Sequence, residues 1–380
     1  MRSTVLEPVQ FALPPPSRAE DFAVKQRRAR EFMQDQNVDA LLLTTPAAFS
    51  WYTSGGENLW GCTGQTCAAV VITRDQNWVL AEPSQLERIR CEQIPGLPLE
   101  LLPAARYSPW EVEARKLIGR KKCGSDVHLE DCEAMVGRLA RLRVDLTPLE
   151  LSRYRELGKI LSNQVEGVSR SVEPGQREAD LAGLLAQRLL KLGVQPVELN
   201  IVADDRANQF GSASFHDAAV QQRCWVAATG RYFGLHASTG RAICFGQSNR
   251  HFIRDYRRTS MISAACIYYS RAGMKTAELI HKVQRCYDQV QRGDEFSRVE
   301  PGWITGHARY TWPLFTSSPY RLCPSTALIW QPIVGGAPSC DTILVDETGY
   351  ETLTCLVKWP VMQIEINSHQ IERPDLLIRE

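Results

Sequence analysis

The chain has 380 residues, a length that suits two domains with a hydrophobic core each. With 44% hydrophobic and 23% charged residues and a formal charge of +1, its composition is that of a soluble globular protein and gives no sign of a nucleic-acid or membrane partner. No apolar stretch approaches the roughly 20 residues that span a bilayer, and we expect no signal peptide. The twelve cysteines form no CxxC pair, so we expect mostly reduced thiols in a cytoplasmic protein.

The first part of the chain predicts an α/β domain over residues 1–146. Residues 1–20 are rich in proline and polar groups and are expected to form a loose arm. Apolar residues then recur at helical spacing, and short apolar runs follow that suit buried strands. The predicted elements are a helix over 21–36, strands over 38–43, 67–73 and 78–81, and a further helix that ends near residue 142.

The second part predicts an α+β domain over residues 147–380. It opens at Thr147, which can cap a helix, with Pro148 at the first helical position and Glu150 where a capping box needs it. The predicted helices cover 147–168, 179–192 and 276–290, and the predicted strands cover 224–228, 242–245, 326–330 and 342–345. Two long helices followed by strands that return in antiparallel fashion are typical of an α+β domain.

Six segments follow, in the same order, the motifs of one known superfamily. They are an opening helix and strand at 27–43, a xxYxTGG loop at 49–56, a xxPGxTE helix start at 173–178, a GYxxDxTR segment at 234–241, a xxxEP segment at 327–332 and an EDxxLVTxxGxExLT segment at 341–354. Together they resemble the creatinase/prolidase/aminopeptidase P superfamily, the M24 peptidase homologues. The resemblance implies an α/β N-terminal domain joined to an α+β pita-bread domain, a homodimer, and a cavity that binds a small molecule.

The metal positions of this superfamily can be located in the sequence. Metallo members bind two divalent ions through two Asp, one His and two Glu, because hard cations favour carboxylate oxygens. Aligned on Gly234, the two Asp positions hold Ala227 and Ser238, and the two Glu positions hold Gln331 and Cys340. All four carboxylates are missing, so the resemblance implies a member that holds no metal and needs no other cofactor.

Creatinase is a metal-free member of the superfamily, in which a His moves protons and two Glu bind a guanidinium group. The positions of those two Glu hold Gly240 and Cys340 here, so a guanidinium substrate is not expected. The proton-transferring His corresponds to the segment 210–217. Ungapped alignment puts Ser212 at the His position and His216 four residues later, so His216 is a candidate replacement.

Three side chains are the candidate catalytic groups, namely His216, His307 and Cys340. A neutral imidazole is suited to moving protons near pH 7, and His307 lies in a segment that resembles either the metal-ligand GHxxG motif or a second, substrate-binding His. The Cys340 thiol could act as a nucleophile if a neighbouring His lowered its pKa. The alternatives are a loop His bonded to the backbone for His216 and a small buried side chain for Cys340.

Ten side chains are the candidate substrate-binding groups, namely Trp51, Tyr52, Glu57, Trp60, Ser212, His236, Ser238, Arg309, Tyr310 and Gln331. In dimeric relatives the loop at 51–60 reaches the cavity of the partner subunit. Such an aromatic lid above neutral polar groups suggests an apolar or aromatic small molecule. Core packing is the alternative for Trp51 and Tyr52, as is a surface position for Arg309.

The sequence thus favours a metal-independent enzyme that acts on a small amide-, imine- or amine-containing molecule through His acid/base chemistry. It would be a C–N hydrolase, lyase, isomerase or cyclase, and specialised metabolite biosynthesis would suit such chemistry. The alternative is an inactive pita-bread pseudo-enzyme that serves as a binding module, like the peptidase-like domain of a histone-chaperone subunit. A metallo-aminopeptidase or prolidase is a third possibility, against which the missing carboxylates argue.

Overall fold

The computed structural model describes residues 17–61, 64–105, 107–209, 213–246, 250–314 and 320–380, so most of the expected N-terminal arm lies outside the described residues. The first domain is one sheet with helices around it. Its helices are α1 (Arg18–Asp35), α2 (Pro46–Tyr52), α3 (Leu86–Arg88), α4 (Trp110–Ile118) and α5 (Val136–Leu142), with a 3-10 turn at Pro83–Gln85 and a π-turn at Ile89–Gln93. Its strands are β1 (Ala40–Leu43), β2 (Ala68–Thr73), β3 (Asn77–Ala81), β4 (Glu100–Pro103), β5 (Cys123–Ser125) and β6 (Glu133–Ala134).

The sheet of the first domain has the strand order β4-β3-β2-β1-β5-β6. β1 is central because Ala40–Leu43 is an unbroken apolar run, and it is buried between antiparallel β2 and parallel β5. α1 begins after Ser17, which forms a capping box with Glu20, and it packs Phe22 and Met33 into the core beside the sheet. The predicted helix over 21–36 and the strands after it are confirmed.

The second domain contains two larger sheets with helices on them and two two-stranded sheets. Its helices are α6 (Pro148–Ser171), α7 (Glu178–Lys191), α8 (Arg206–Gln209), α9 (Arg250–Tyr269), α10 (Thr276–Gln289) and α11 (Gly293–Phe296). Its strands are β7 (Gln195–Ala203), β8 (Arg223–Tyr232), β9 (Leu235–Phe245), β10 (Gly302–Thr305), β11 (Trp312–Pro313), β12 (Ala327–Trp330), β13 (Ile333–Val334), β14 (Ala337–Pro338), β15 (Asp341–Val345), β16 (Tyr350–Thr352), β17 (Val361–Ile366), β18 (His369–Pro374) and β19 (Leu377–Arg379). The two-stranded sheets are β13-β14 and β17-β18.

Each of the two larger sheets of this domain is covered by a pair of helices. α6 and α7 pack on the sheet β19-β9-β8-β7, and α9 and α10 pack on the sheet β11-β10-β12-β15-β16. The sheets meet where Gly240 of β9 and Cys340, just before β15, form an isolated backbone bridge. This arrangement of two sheet-and-helix halves agrees with the predicted pita-bread domain.

The capping box predicted at the start of α6 is present. The Thr147 hydroxyl accepts the N–H of Glu150, and the Glu150 carboxylate accepts the N–H of Thr147. The proposed domain boundary after residue 146 falls between α5 and α6 and stays a prediction. Long helix α9, strand β7 and the β17–β18 hairpin have no counterpart in the sequence-based prediction. Within the described ranges, no helix is long and apolar enough to cross a membrane.

Candidate functional site

A cavity of about 250 Å³ lies between the two domains. The first domain contributes the start of α2 and the chain just after it, and the second contributes the β8–β9 turn and the loop after β10. The polar side chains that line the cavity are Thr45, Ser50, Glu57, Arg231, His236, His307 and Arg309. The predicted residues Glu57, His236, His307 and Arg309 are therefore brought together in one place.

His307 belongs to a buried chain of polar groups that crosses the domain interface. Its Nδ1 is 3.2 Å from Ser50 Oγ, and its Nε2 is 2.6 Å from Glu150 Oε1. The same Glu150 oxygen is 2.7 Å from Lys25 Nζ, which is also 2.8 Å from Asp21 Oδ2. α1 and α2 of the first domain are thus tied to α6 and the β10 loop of the second.

The two cavity histidines are neutral near pH 7. Burial lowers the pKa of His236 to about 3, and burial also lowers the pKa of His307, against the opposing effect of Glu150. Burial alone would raise the pKa of Glu150, but the charge of Lys25 and the hydrogen bond from His307 hold it well below its usual range. Because ionised Glu150 only accepts hydrogen bonds, His307 carries its proton on Nε2 and leaves Nδ1 as an acceptor.

Acidification is expected to destabilise the fold through His236. The folded-state pKa of about 3 lies below the usual value of 6.5, so between these values the unfolded chain binds a proton that the folded chain does not. The free energy of unfolding should then fall by up to about 1.4 kcal/mol for each pH unit lost in that window.

Urea unfolding of His236→Asn tests this expectation. His236 Nδ1 is 3.2 Å from the carbonyl oxygen of Gly306, and an asparagine amide can keep that bond without titrating. Between about pH 7 and about pH 5 the free energy of unfolding of the variant should fall less than that of the parent. The difference should approach about 1.4 kcal/mol per pH unit, which is the contribution of one proton. Equal losses in the two proteins would contradict the assignment.

Two ion pairs flank the histidines in the cavity. Arg231 Nε is 3.3 Å from Glu57 Oε1, and Arg309 pairs with Glu198 of β7. The guanidinium group of Arg309 also lies 4.8 Å from the centre of the Trp303 ring. Charged groups therefore lie on the cavity wall beside apolar lining residues, and the expectation of an apolar or aromatic ligand below an aromatic lid stays a prediction.

The aromatic residues of the predicted lid lie elsewhere. Trp51 and Tyr52 end α2 inside the first domain's core, where they are 1% and 0% exposed, so no ligand can reach them in this structure. Trp60 is 38% exposed but does not line the cavity. The predicted substrate-binding role of Trp51 and Tyr52 is wrong, because both rings are buried in the core of the first domain, whereas that of Trp60 stays a prediction.

The four positions that carry metal-binding carboxylates in the superfamily do not fit a metal here. A Cβ added to Gly240 would lie 2.2 Å from the Trp225 ring and 2.8 Å from Ala227 Cβ, so the indole covers this face of β8 and β9. Ala227 and Cys340 belong to the same apolar cluster as Trp225, Trp303 and Ile329. Among the described residues, no group of three or more His, Cys, Asp or Glu side chains could hold a metal ion. The donor set and the packing therefore disagree with a dinuclear centre.

Ser238 and Gln331 stand beside that apolar cluster and outside the cavity. Ser238 Oγ is 2.7 Å from Thr229 Oγ1, which in turn is 3.5 Å from Glu198 Oε2. Gln331 is half-buried and donates its backbone N–H to Pro301. Ser238 therefore reaches the cavity only indirectly, through the carboxylate that pairs with Arg309.

The other candidate residues are apart from the cavity. His216 is exposed, and its backbone N–H bonds buried Glu178 at 2.6 Å. Tyr310 is 42% exposed and donates to Glu300. Cys340 is buried, and burial raises the pKa of its thiol, which contradicts an activated nucleophile. The position of Ser212 lies outside the described residues.

Ser50, Glu150 and Arg231 are among the residues of the cavity and of the buried polar chain around His307 that were not predicted as site residues. Ser50 lies inside the xxYxTGG segment, and Glu150 had a sufficient local explanation as the last residue of a capping box. Arg231 sits at the end of β8, where its position three residues before Gly234 was the available signal. None of these signals indicates which distant residue each one contacts.

Comparisons with known proteins agree with this architecture. Residues 25–172 match the family model for the Creatinase/Prolidase N-terminal domain. The structure is similar to the prolidase from Pyrococcus horikoshii OT3, at 16% identity and a TM-score of 0.75, covering 87% of this chain and 98% of that chain. It is also similar to the Xaa-Pro dipeptidase from Bacillus anthracis, at 18% identity and a TM-score of 0.74, covering 94% of this chain and 99% of that chain.

A further similar structure is the N-terminal domain of FACT complex subunit SPT16 from Cicer arietinum (chickpea), at 12% identity and a TM-score of 0.67, covering 90% of this chain and 97% of that chain. No curated protein matches the sequence. The fold is that of a two-domain pita-bread protein. Residues 25–172 form a domain of the Creatinase/Prolidase N-terminal type, and the fold of the chain is similar to that of the prolidases.

Proposed function

We propose that the protein is a metal-independent enzyme that acts on a small amide-, imine- or amine-containing molecule through His acid/base chemistry. The observation that carries the proposal is the neutral His307 at the cavity wall, held by Glu150 on one ring nitrogen and facing Ser50 with the other. A neutral imidazole oriented by a carboxylate is suited to accept and return a proton. C–N hydrolysis suits this arrangement best, with a lyase, isomerase or cyclase as the other reactions it would support.

The charges of the cavity indicate the kind of substrate. Arg231 and Arg309 face it with their partners Glu57 and Glu198, so the walls carry both signs. Both guanidinium groups line the cavity, where their N–H groups can donate to a ligand oxygen. A small amide that carries a carboxylate therefore suits the site, because a guanidinium group can bind it through charge-assisted hydrogen bonds.

A binding module without catalysis is the second candidate. It is favoured by the Trp225 ring, which covers the face where relatives of this fold would place metal ligands. The similarity in fold to the SPT16 N-terminal domain is consistent with such a role but does not assign it. Under either candidate we propose a cytoplasmic homodimer whose partner is a small molecule rather than nucleic acid or a membrane. Specialised metabolite biosynthesis is the setting proposed for the enzyme.

Metal analysis and a turnover assay on the full chain test the proposal together. Protein purified without chelator should contain less than about 0.1 equivalent of Mn, Fe, Co or Zn, because the carboxylates that hold such ions are missing. Proton NMR then follows a panel of dipeptides and N-acyl amino acids with and without added chelator. Turnover that chelator leaves unchanged supports the enzyme. One or more metal ions per chain, or binding of panel compounds without any conversion, would overturn it.

A further inference from the structure

We propose that Ser50 is a catalytic nucleophile, activated by His307 and positioned with it by Glu150. This inference rests on the proposed function and specifies its chemistry as acyl transfer. Ser50 lies on α2, His307 in the loop after β10 and Glu150 in the first turn of α6. Ser50 Oγ is 3.2 Å from His307 Nδ1, and His307 Nε2 is 2.6 Å from Glu150 Oε1. A hydroxyl, an imidazole and a carboxylate in this order are the groups of a nucleophilic relay.

The polarity of the relay is set by Glu150. Its carboxylate also accepts the Thr147 N–H at 2.7 Å and contacts Lys25 Nζ at 2.7 Å, so it is fixed and ionised. His307 must then present Nε2–H to Glu150 and the Nδ1 lone pair to Ser50. In most serine hydrolases the two ring nitrogens are used the other way round, but the roles depend on geometry and not on which nitrogen is used.

Access to Ser50 is narrow and comes from the cavity. Ser50 and His307 are 3% and 4% exposed, and both line the cavity beside Arg231 and Arg309. The hydroxyl has a second acceptor, the carbonyl of Phe233 at 3.2 Å, which keeps Oγ at the cavity edge. A space of about 250 Å³ admits only a small acyl group, in agreement with a small amide as substrate.

The chemical step balances without any further reagent. Ser50 Oγ attacks the amide carbonyl carbon as its proton passes to His307 Nδ1, and a C–O bond forms. The C–N bond then breaks, and the leaving amine takes the proton from His307. Water then attacks the acyl carbon as its proton passes to His307, the C–O bond to Ser50 breaks, and His307 returns the proton to Ser50 Oγ, so that the carboxylic acid is released and the hydroxyl is restored. Glu150 stabilises the imidazolium ion that forms in each half of the reaction and is a positioning residue.

Labelling with methanesulfonyl fluoride tests this inference independently of any substrate. The reagent forms an O–S bond with an activated serine and loses fluoride, and intact-mass and peptide analysis locate the product. We expect one adduct at Ser50 in the parent chain and in the control Ser162→Ala, which removes another buried serine hydroxyl. Ser50→Ala should give none, and His307→Gln should label at least about tenfold more slowly.

The result that overturns the inference is an unlabelled Ser50, or a labelling rate that His307→Gln leaves unchanged. Circular dichroism checks that each variant folds. If His307→Gln does not fold, the test is the parent chain, whose labelling rate must decrease as the pH is lowered and His307 becomes protonated. Panel turnover that survives Ser50→Ala would reject the nucleophile while leaving the enzyme proposal intact. Labelling of Ser50 without any turnover would show that the serine is activated but would reject the enzyme proposal and, with it, the catalytic role of Ser50.

Discussion

Replacing Lys25 by methionine is expected to lower the free energy of unfolding by about 3–5 kcal/mol. The Lys25 side chain is fully buried, and its Nζ contacts Asp21 Oδ2 at 2.8 Å and Glu150 Oε1 at 2.7 Å. Methionine fills a similar volume but leaves two buried carboxylates without their cation. The loss should be large because an uncompensated buried charge is far more costly than the net contribution of the intact pair.

Urea unfolding with a matched control measures the effect of Lys25→Met. Lys122 pairs with Glu133 at 3.3 Å on the surface, where both side chains are well exposed, so Lys122→Met should change stability by less than about 0.5 kcal/mol. The pKa of Glu150 is lowered in the fold, so its contribution is present above its unfolded pKa and is lost on acidification. The difference between Lys25→Met and the parent should therefore shrink at low pH. Similar losses for the two lysine variants would contradict the role given to Lys25.

The sequence was sufficient for the elements whose signals are local. The capping box at Thr147 and Glu150 and the apolar run of β1 each depend on neighbouring residues, and both are present as predicted. α9 was missed because the face that it buries is not apolar throughout. Thr259, Ser260 and Ser263 lie on that face, and the hydroxyls of the first two bond to backbone carbonyl groups, so no apolar stripe is visible in the sequence.

The candidate site was only partly predictable because its key contacts join distant residues. Family motifs located His307 and Arg309, but the partner of His307 in the first domain, Ser50, is 257 residues away. The missing carboxylates were visible in the sequence, whereas the covering of that face by the Trp225 ring was not. Alignment to family motifs reveals that a metal-binding carboxylate is missing. Only the packing in the three-dimensional structure reveals which side chain occupies its space.

Replacing Gly234 by alanine is expected to move Ser50 away from His307, the contact on which the proposed nucleophile depends. Gly234 has φ +80°, and a Cβ there would lie 1.7 Å from Ser50 Oγ and 2.6 Å from Ser50 Cβ. Gly193, at the end of α7, has φ +73°, and its nearest atom to such a Cβ is 3.9 Å away. The pair therefore shares the backbone strain of a left-handed alanine and differs in the interdomain collision.

The two glycine variants separate strain from domain contact. Gly193→Ala should lower the free energy of unfolding by about 1–2 kcal/mol, and Gly234→Ala by about 3 kcal/mol or more, since overpacking adds to the same strain. Gly234→Ala must also push α2 away from the β8–β9 turn, so sulfonyl labelling of Ser50 should fall sharply while Gly193→Ala labels normally. Equal stability losses with unchanged labelling would mean that the two domains do not hold Ser50 against His307. The close approach at Gly234 would then have no part in assembling the site.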